Sequence, residues 1–311
     1  MASLPSSGVI IRAGVIGAGV FGGYHADKWA GFPGVRLAAV LDPDPVRAAS
    51  LAERHGAIAF DGAAGFFEAV DIVSIASPAS THVAWALAAL AAGKPVYVEK
   101  PLATDLEGAD AIAVAAGRSG LTLACGFLER IVLEASGLAV APERPLRLEA
   151  VRRGKASPRN LDVGVVLDLM IHDLDLALAL AGGDPFAVEA EGARLANDQA
   201  DSAVAEVGFD NGFSARFEAS RVAQAAERRL RIVYPSGEVR IDLIAGTLKT
   251  SAAFALDPDF AASPAARDRL GASLARFLAA ARGEAARPLA DARDGVRALD
   301  LALAVQHAMG E

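Results

Sequence analysis

Three groups of residues in this chain have types and spacings that could do chemistry. The first is Gly17-x-Gly19-x-x-Gly22, with Asp42 twenty residues beyond its last glycine. Glycines so spaced, between an apolar strand and a helix, let backbone approach a pyrophosphate, and the helix N-terminus presents unpaired N–H groups and the positive end of its dipole. An acidic side chain closing the next strand can accept both ribose hydroxyls of an adenosine. The pattern reads as a dinucleotide site spread over Gly17, Gly19, Val20, Phe21, Gly22 and Asp42. No arginine follows directly in Asp42-Pro43-Asp44-Pro45, so a 2′-phosphate would meet a carboxylate, and the expected cofactor is NAD rather than NADP.

The second group lies at the ends of two later strands, Ser77-Pro78 and Glu99-Lys100-Pro101. In a parallel sheet those ends face the cofactor crevice. Taken alone, Ser77-Pro78 also reads as a turn and Lys100 as a solvated lysine. The third group sits in DVGVVLDLMIHDLDLALAL, where Asp168, His172 and Asp175 fall at i, i+4 and i+7 on an apolar helix. That spacing sets them along one stripe. Polar groups there cost free energy to bury unless partnered or employed. Three readings stay open: a satisfied core histidine beside an aspartate, a metal pair from Asp-x-x-x-His, or a general base with an orienting carboxylate. No second ligand cluster is evident, so no metal is expected. Asp173 lies about 100° off the stripe and is expected to pack or cap elsewhere.

The elements that must position these residues alternate through the first 125 residues. Apolar strands at Ile11–Ile16, VRLAAVLD, AIAF, DIVSIAS, PVYVEK and LTLACGF are separated by helical segments such as PVRAASLAERHG, Ser80 to Ala92 and Asp105 to Arg118. Such alternation builds a doubly wound parallel sheet, a Rossmann domain over residues 1–125. The second half changes character. Runs such as RPLRLEAVRRG, FAVEAEGARLA, DSAVAEVGF, RRLRIVY and EVRIDLI follow one another across Asp210-Asn211-Gly212 and Pro235-Ser236-Gly237 turns, which predicts a largely antiparallel open sheet. One helix, about 163–180, interrupts it, and two more, about Pro264 to Ala281 and Asp291 to Met309, close the chain. The expected second domain, 126–311, is α+β.

Composition bounds the class. The chain has 311 residues, 53% of them hydrophobic, enough for two cores. A net charge of −8 argues against a general affinity for nucleic acid or anionic membranes. No stretch reads as a signal peptide or a bilayer span, and the single Cys125 excludes an intrachain disulfide. A cytoplasmic location is expected. Arg147, Arg152, Arg153, Lys155 and Arg159 crowd thirteen residues before the polar helix. Arginine forks suit a diphosphate; a solvated strand edge guarded by charge is the other reading.

The order of motifs resembles the Gfo/Idh/MocA oxidoreductase family over nearly the whole chain: the glycine turn, Ser77-Pro78 with Thr81-His82, Glu99-Lys100-Pro101-Leu102, and Asp168-x-x-x-His172-Asp173-x-Asp175. The resemblance implies hydride transfer between nicotinamide and a sugar, cyclitol or similar carbon. It implies cofactor contacts at Ser77, Pro78, His82, Glu99 and Lys100, and a homodimer or homotetramer through the C-terminal sheet. It makes Lys100 the donor to the reacting oxygen, His172 the general base and Asp168 its acidic partner. Pro158-Arg159-Asn160, the VVLDLMIHDLDL segment, Gly126 and Glu129-Arg130 are similar to the branch that oxidises C3 of UDP-N-acetylglucosamine or its uronate, including enzymes that feed lipid A synthesis. By that similarity Lys100, Glu129, Arg130, Arg159, Asn160 and His172 would meet substrate. Where that branch reads Gly-His-x-Glu-Arg-Phe-Asn-Pro, this chain has Gly126-Phe127-Leu128-Glu129-Arg130-Ile131-Val132-Leu133. A free sugar or inositol substrate, and an NAD-bound regulator without turnover, are the alternatives.

Overall fold

Short, nearly unbroken apolar runs form the first sheet, because parallel strands covered on both faces have no solvent side to mark. A computed structural model describes residues 9–155, 163–195 and 199–310. Strands β1 (Ile11–Ile16), β2 (Val35–Leu41), β3 (Ile58–Phe60), β4 (Ile72–Ile75), β5 (Val96–Val98) and β6 (Leu123–Cys125) are all parallel, in the order β3-β2-β1-β4-β5-β6. This is the expected doubly wound Rossmann sheet, and strand order reverses between β1 and β4. Its helices start and stop on local chemistry. Asp44 accepts from the N–H groups of Val46 and Arg47 ahead of Pro45–His55, and Asp105 accepts from Gly108 N ahead of Leu106–Ser119. Gly56 and Gly120 end the same helices in the left-handed region, where a side chain would be strained. A one-turn helix, Phe66–Ala69, had no counterpart in the sequence pattern.

The chain packs as two compact units, Met1–Leu128 with Leu270–Val296, and Glu129–Arg269 with Arg297–Glu311. In the first unit the helix Arg269–Ala281 sends Leu270, Leu274, Phe277 and Leu278 into the core that holds Ile11, Val15, Trp29 and Tyr97. Phe277 meets Trp29 and Tyr97 edge-on, with centroids 6.3 and 5.9 Å away. Polar atoms of these large rings are satisfied: Trp29 Nε1 donates to Ser74 Oγ at 2.8 Å, and Tyr97 Oη pairs with Ser273 Oγ at 3.0 Å. The continuous helix expected from Pro264 to Ala281 is two, Pro264–Arg267 and Arg269–Ala281, broken at Asp268.

The second unit carries β7 (Arg147–Arg153), β8 (Pro185–Ala193), β9 (Ser202–Phe209), β10 (Ser214–Ser220), β11 (Glu227–Tyr234), β12 (Gly237–Asp242) and β13 (Thr247–Thr250), ordered β13-β12-β11-β7-β10-β9-β8. Every neighbouring pair is antiparallel except β7 with β10. Small buried residues, among them Ala150, Ala203, Ala205, Ala215 and Ala219, line one face. The interrupting helix packs toward that face at β10. It does not start as an α-helix: Val166–Met170 form a π turn, and the α-helix proper runs Ile171–Ala181. Among the described residues no helix is long and apolar enough to cross a membrane.

Candidate active site

Each glycine of the first motif has its own physical reason. Gly17 sits at φ +97°, and a Cβ there would come within 2.7 Å of Ser77 N. A Cβ on Gly22 would stand 1.7 Å from the Gly17 carbonyl oxygen, so helix and turn can meet only through glycine. Gly19 is different: open space lies where its side chain would be, and the helix Val20–Gly31 that it precedes has no side chain capping its N-terminus. Uncapped amides beside an open cradle fit a pyrophosphate. Val20 and Phe21, in the first turn, are about half exposed.

Asp42 closes β2 at the same carboxyl edge of the parallel sheet. Its Oδ2 accepts from Ala18 N at 2.7 Å and its Oδ1 from Asp44 N at 2.9 Å, fixing the carboxylate beside the glycine turn. Arg47, five residues on, also reaches Oδ1, with Nη2 at 2.9 Å. The sequence reading missed this arginine because it lies just past the Pro43-Asp44-Pro45 segment, in the first turn of the helix Pro45–His55. Burial pushes the Asp42 carboxyl up, but Arg47 and the two main-chain N–H groups together hold it below its ordinary value.

Ser77, Pro78, Glu99 and Lys100 follow β4 and β5 and share that edge. Ser77 Oγ lies 2.6 Å from Thr81 Oγ1, which donates to Pro78 O. His82, expected at the cofactor, is buried, with Nδ1 2.8 Å from Pro101 O and Nε2 2.9 Å from Ser77 O. It ties the two loops together rather than offering a nitrogen to a ligand. Burial pushes its pKa down, against the pull of the two carbonyls. Glu99 is likewise buried. Its Oε1 is 2.9 Å from His25 Nε2, and a Cβ on Gly126 would meet its Oε2 at 2.6 Å. His25, three residues past Gly22, escaped the sequence reading because nothing local distinguishes it from an ordinary core histidine.

In the second unit, polar residues of the helix Ile171–Ala181 find arginines and a glutamate. Arg130 forks onto Asp175, with Nη2 to Oδ1 at 2.6 Å and Nε to Oδ2 at 2.9 Å. Arg152 forks onto Asp173 at 2.8 and 2.9 Å and donates from Nη1 to Glu129 Oε1 at 2.9 Å. His172 Nδ1 lies 2.9 Å from Glu129 Oε2. Glu129, expected to meet substrate, is therefore buried with both oxygens occupied. Burial would raise its pKa, but His172 and Arg152, by charge and hydrogen bond, hold it well below the carboxylate range. Asp168 is buried in the π turn, and the expected α-helical stripe is altered there because a π turn spreads its residues over a wider circuit. Arg159 and Asn160 lie outside the described residues. Among those described, no group of three or more His, Cys, Asp or Glu is placed to hold a metal.

The arginine run is not one patch. β7 is a central strand, so the guarded-edge reading does not apply. Strand alternation puts Arg152 on the buried face and Arg147 and Arg153 on the other, where they pair with Glu149 and with Glu218 and Glu227.

The sheet order, the open glycine turn and the carboxylate of Asp42 fixed beside it fit an NAD-binding oxidoreductase. Residues 11–127 match the model of the oxidoreductase family with an NAD-binding Rossmann fold, and residues 144–240 match the GFO/IDH/MocA C-terminal domain. The chain belongs to the Gfo/Idh/MocA family, and its cofactor is NAD. It is 38% identical, over 96% of its length and 97% of the relative's, to UDP-N-acetylglucosamine 3-dehydrogenase of Acidithiobacillus ferrooxidans. A solved structure of that enzyme superposes with a TM-score of 0.87 at 37% identity, covering 96% of this chain and 98% of that one. The scyllo-inositol 2-dehydrogenase of Bacillus subtilis is 29% identical over 77% of this chain and 75% of its own.

Proposed function

We propose that this chain oxidises C3 of UDP-N-acetylglucosamine, or of a close nucleotide sugar, to the 3-keto sugar with reduction of NAD. The observation that carries the reading is 38% identity to a UDP-N-acetylglucosamine 3-dehydrogenase across essentially both whole chains. Bound NAD supplies the hydride acceptor, nicotinamide C4. The chain's own residues handle the proton and the charge: His172 accepts the hydroxyl proton as the C–H hydride leaves, and Lys100 donates a hydrogen bond to the oxygen as its negative charge grows. Atoms balance as one hydride to the cofactor and one proton to the imidazole. Asp168, on the turn before His172, is assigned a supporting electrostatic role.

A free polyol is the second reading, favoured by the match to an inositol dehydrogenase and by the dispersal of the arginine run. Steady-state NADH formation with UDP-N-acetylglucosamine, its uronate, free N-acetylglucosamine and myo-inositol separates the two. Remote binding energy from UDP should appear in kcat as well as KM, so the free amino sugar should be a very poor substrate. Faster turnover of myo-inositol or the free sugar than of both nucleotide sugars would move the assignment to the polyol. On the best substrate, Lys100→Met and His172→Gln should each lower kcat about a hundredfold or more while NAD affinity changes little. Failure of every substrate to yield NADH would favour a regulator that binds NAD without turnover.

A further inference from the structure

Two arginines of the second unit, Arg228 and Arg269, are cations without an anion: among the described residues neither guanidinium has a hydrogen-bond or ion-pair partner. Arg228 on β11 stands directly opposite Arg152 on β7. Directly opposite residues of an antiparallel pair share a face, with Cβ atoms about 4.5–5.5 Å apart, and like charges so placed repel. Two residues along, Ala150 and Leu230 are opposite each other and buried on that same face. The charge of Arg152 is met by Glu129 and Asp173; that of Arg228 is left over. Arg269 is half-buried and belongs to the same cluster. Burial pushes its pKa down, Glu129 pulls it up, and Arg228 and Arg152 push it down again. Holding a cation partly out of water with no counter-charge costs free energy.

We propose that Arg228 and Arg269 form the subsite for the diphosphate of the nucleotide sugar, their guanidinium groups donating to its phosphate oxygens while the sugar ring lies toward His172. Of the five side chains, three arginines face two carboxylates, Glu129 and Asp173, which leaves one positive charge in a protein whose net charge is −8. That excess sits next to the assigned base, because the other oxygen of Glu129 lies 2.9 Å from His172 Nδ1. A planar guanidinium takes two phosphate oxygens at once, and two such groups side by side suit a diphosphate. Arg147 and Arg153 take no part, being paired with glutamates on the other face of the sheet. The inference rests on the nucleotide-sugar reading above and deepens it. A neutral polyol would leave both cations uncompensated, whereas a diphosphate brings the charge they lack.

The test needs no turnover. UDP is titrated calorimetrically into the full-length protein with the NAD site saturated by NADH, so that UDP cannot bind there. Arg228→Gln and Arg269→Gln should each weaken UDP binding about tenfold or more, the double variant should lose more, and the dependence on salt should flatten in each. Arg118→Gln, which removes an exposed charge in the first unit, should bind UDP as the native protein does. Without UDP, the urea midpoint of Arg269→Gln should equal or exceed the native one, since the change takes an uncompensated cation out of a half-buried position. In turnover, kcat/KM for UDP-N-acetylglucosamine should fall about tenfold or more in each variant, with KM for NAD unchanged. A native protein that binds no UDP, or a folded double variant that binds it as tightly as the native one, overturns the proposal. So does a loss confined to the uronate, with UDP itself held normally, which would assign the arginines to the sugar carboxylate. If UDP binding depends on both arginines yet myo-inositol is turned over faster than either nucleotide sugar, the subsite stands and the substrate reading falls.

Discussion

Asp42 and Arg47 meet beside the glycine turn, where we propose that the adenosine ribose of the cofactor lies. Alone, the carboxylate would repel a 2′-phosphate by roughly 4 kcal/mol at about 4 Å and an effective dielectric near 20, before screening. Arg47 sets a positive charge against it, on a side chain that is 56% exposed and so only weakly committed to the pair. The carboxylate is the better held of the two, anchored by two main-chain N–H groups. NAD should therefore still be preferred over NADP by at least about tenfold in kcat/KM, because the fixed charge outweighs the mobile one. Arg47→Ala should widen that ratio several-fold, and Asp42→Ala should narrow it. Equal efficiencies with both cofactors in the native protein would contradict the role given to Asp42.

The elements divide into those whose pattern announces them and those made by partners far away in the chain. Helix Arg269–Ala281 is held by Phe277, fully buried between Trp29 and Tyr97. Phe277→Ala should cost about 3–5 kcal/mol, read from chemical denaturation, since the cavity would open among aromatic rings with little freedom to collapse. The amphipathic spacing of that helix was visible in the sequence, but the core it serves was not, because an apolar stripe says nothing about its partner. Alternation made β7 to β12 legible, and the apolar runs did the same for β1 to β6. Short β13 and the helix Phe66–Ala69 carry too few residues to show a period. The π turn at Val166–Met170 was hidden because a change of hydrogen-bond step leaves the residue types unaltered. Most of the glycine site could be read locally, since turn, helix and Asp42 lie within about thirty residues. The Glu129, Arg152 and Asp173 cluster could not: it joins a turn, a strand and a helix that only folding brings together.

Across the whole molecule, several carboxylates are more acidic than in an unfolded chain. Asp71 is pushed up by burial but held down by the Arg12 fork and its main-chain N–H; Asp42 and Glu129 are held low by their own partners. Such groups bind fewer protons folded than unfolded. Their contribution is complete above about pH 4.5 and is lost as pH falls toward the depressed folded values. The urea midpoint should slip modestly from pH 7 to 5, where the unfolded chain protonates His82 and the native one resists it, and drop steeply below about 4; a level midpoint down to pH 3 would contradict the assignment. The return of Leu270–Val296 to the first unit matters on another clock, that of synthesis. When residue 128 leaves the ribosome, the sheet's strands have all been made, but Leu274 and Phe277 have not. At about 5–20 residues per second, the face around Trp29 and Tyr97 waits roughly 7 to 30 s for its cover. A nascent chain stalled near residue 128 should be far more readily cleaved by protease than one stalled past residue 296, which makes this gap in translation the interval when the protein most needs a chaperone.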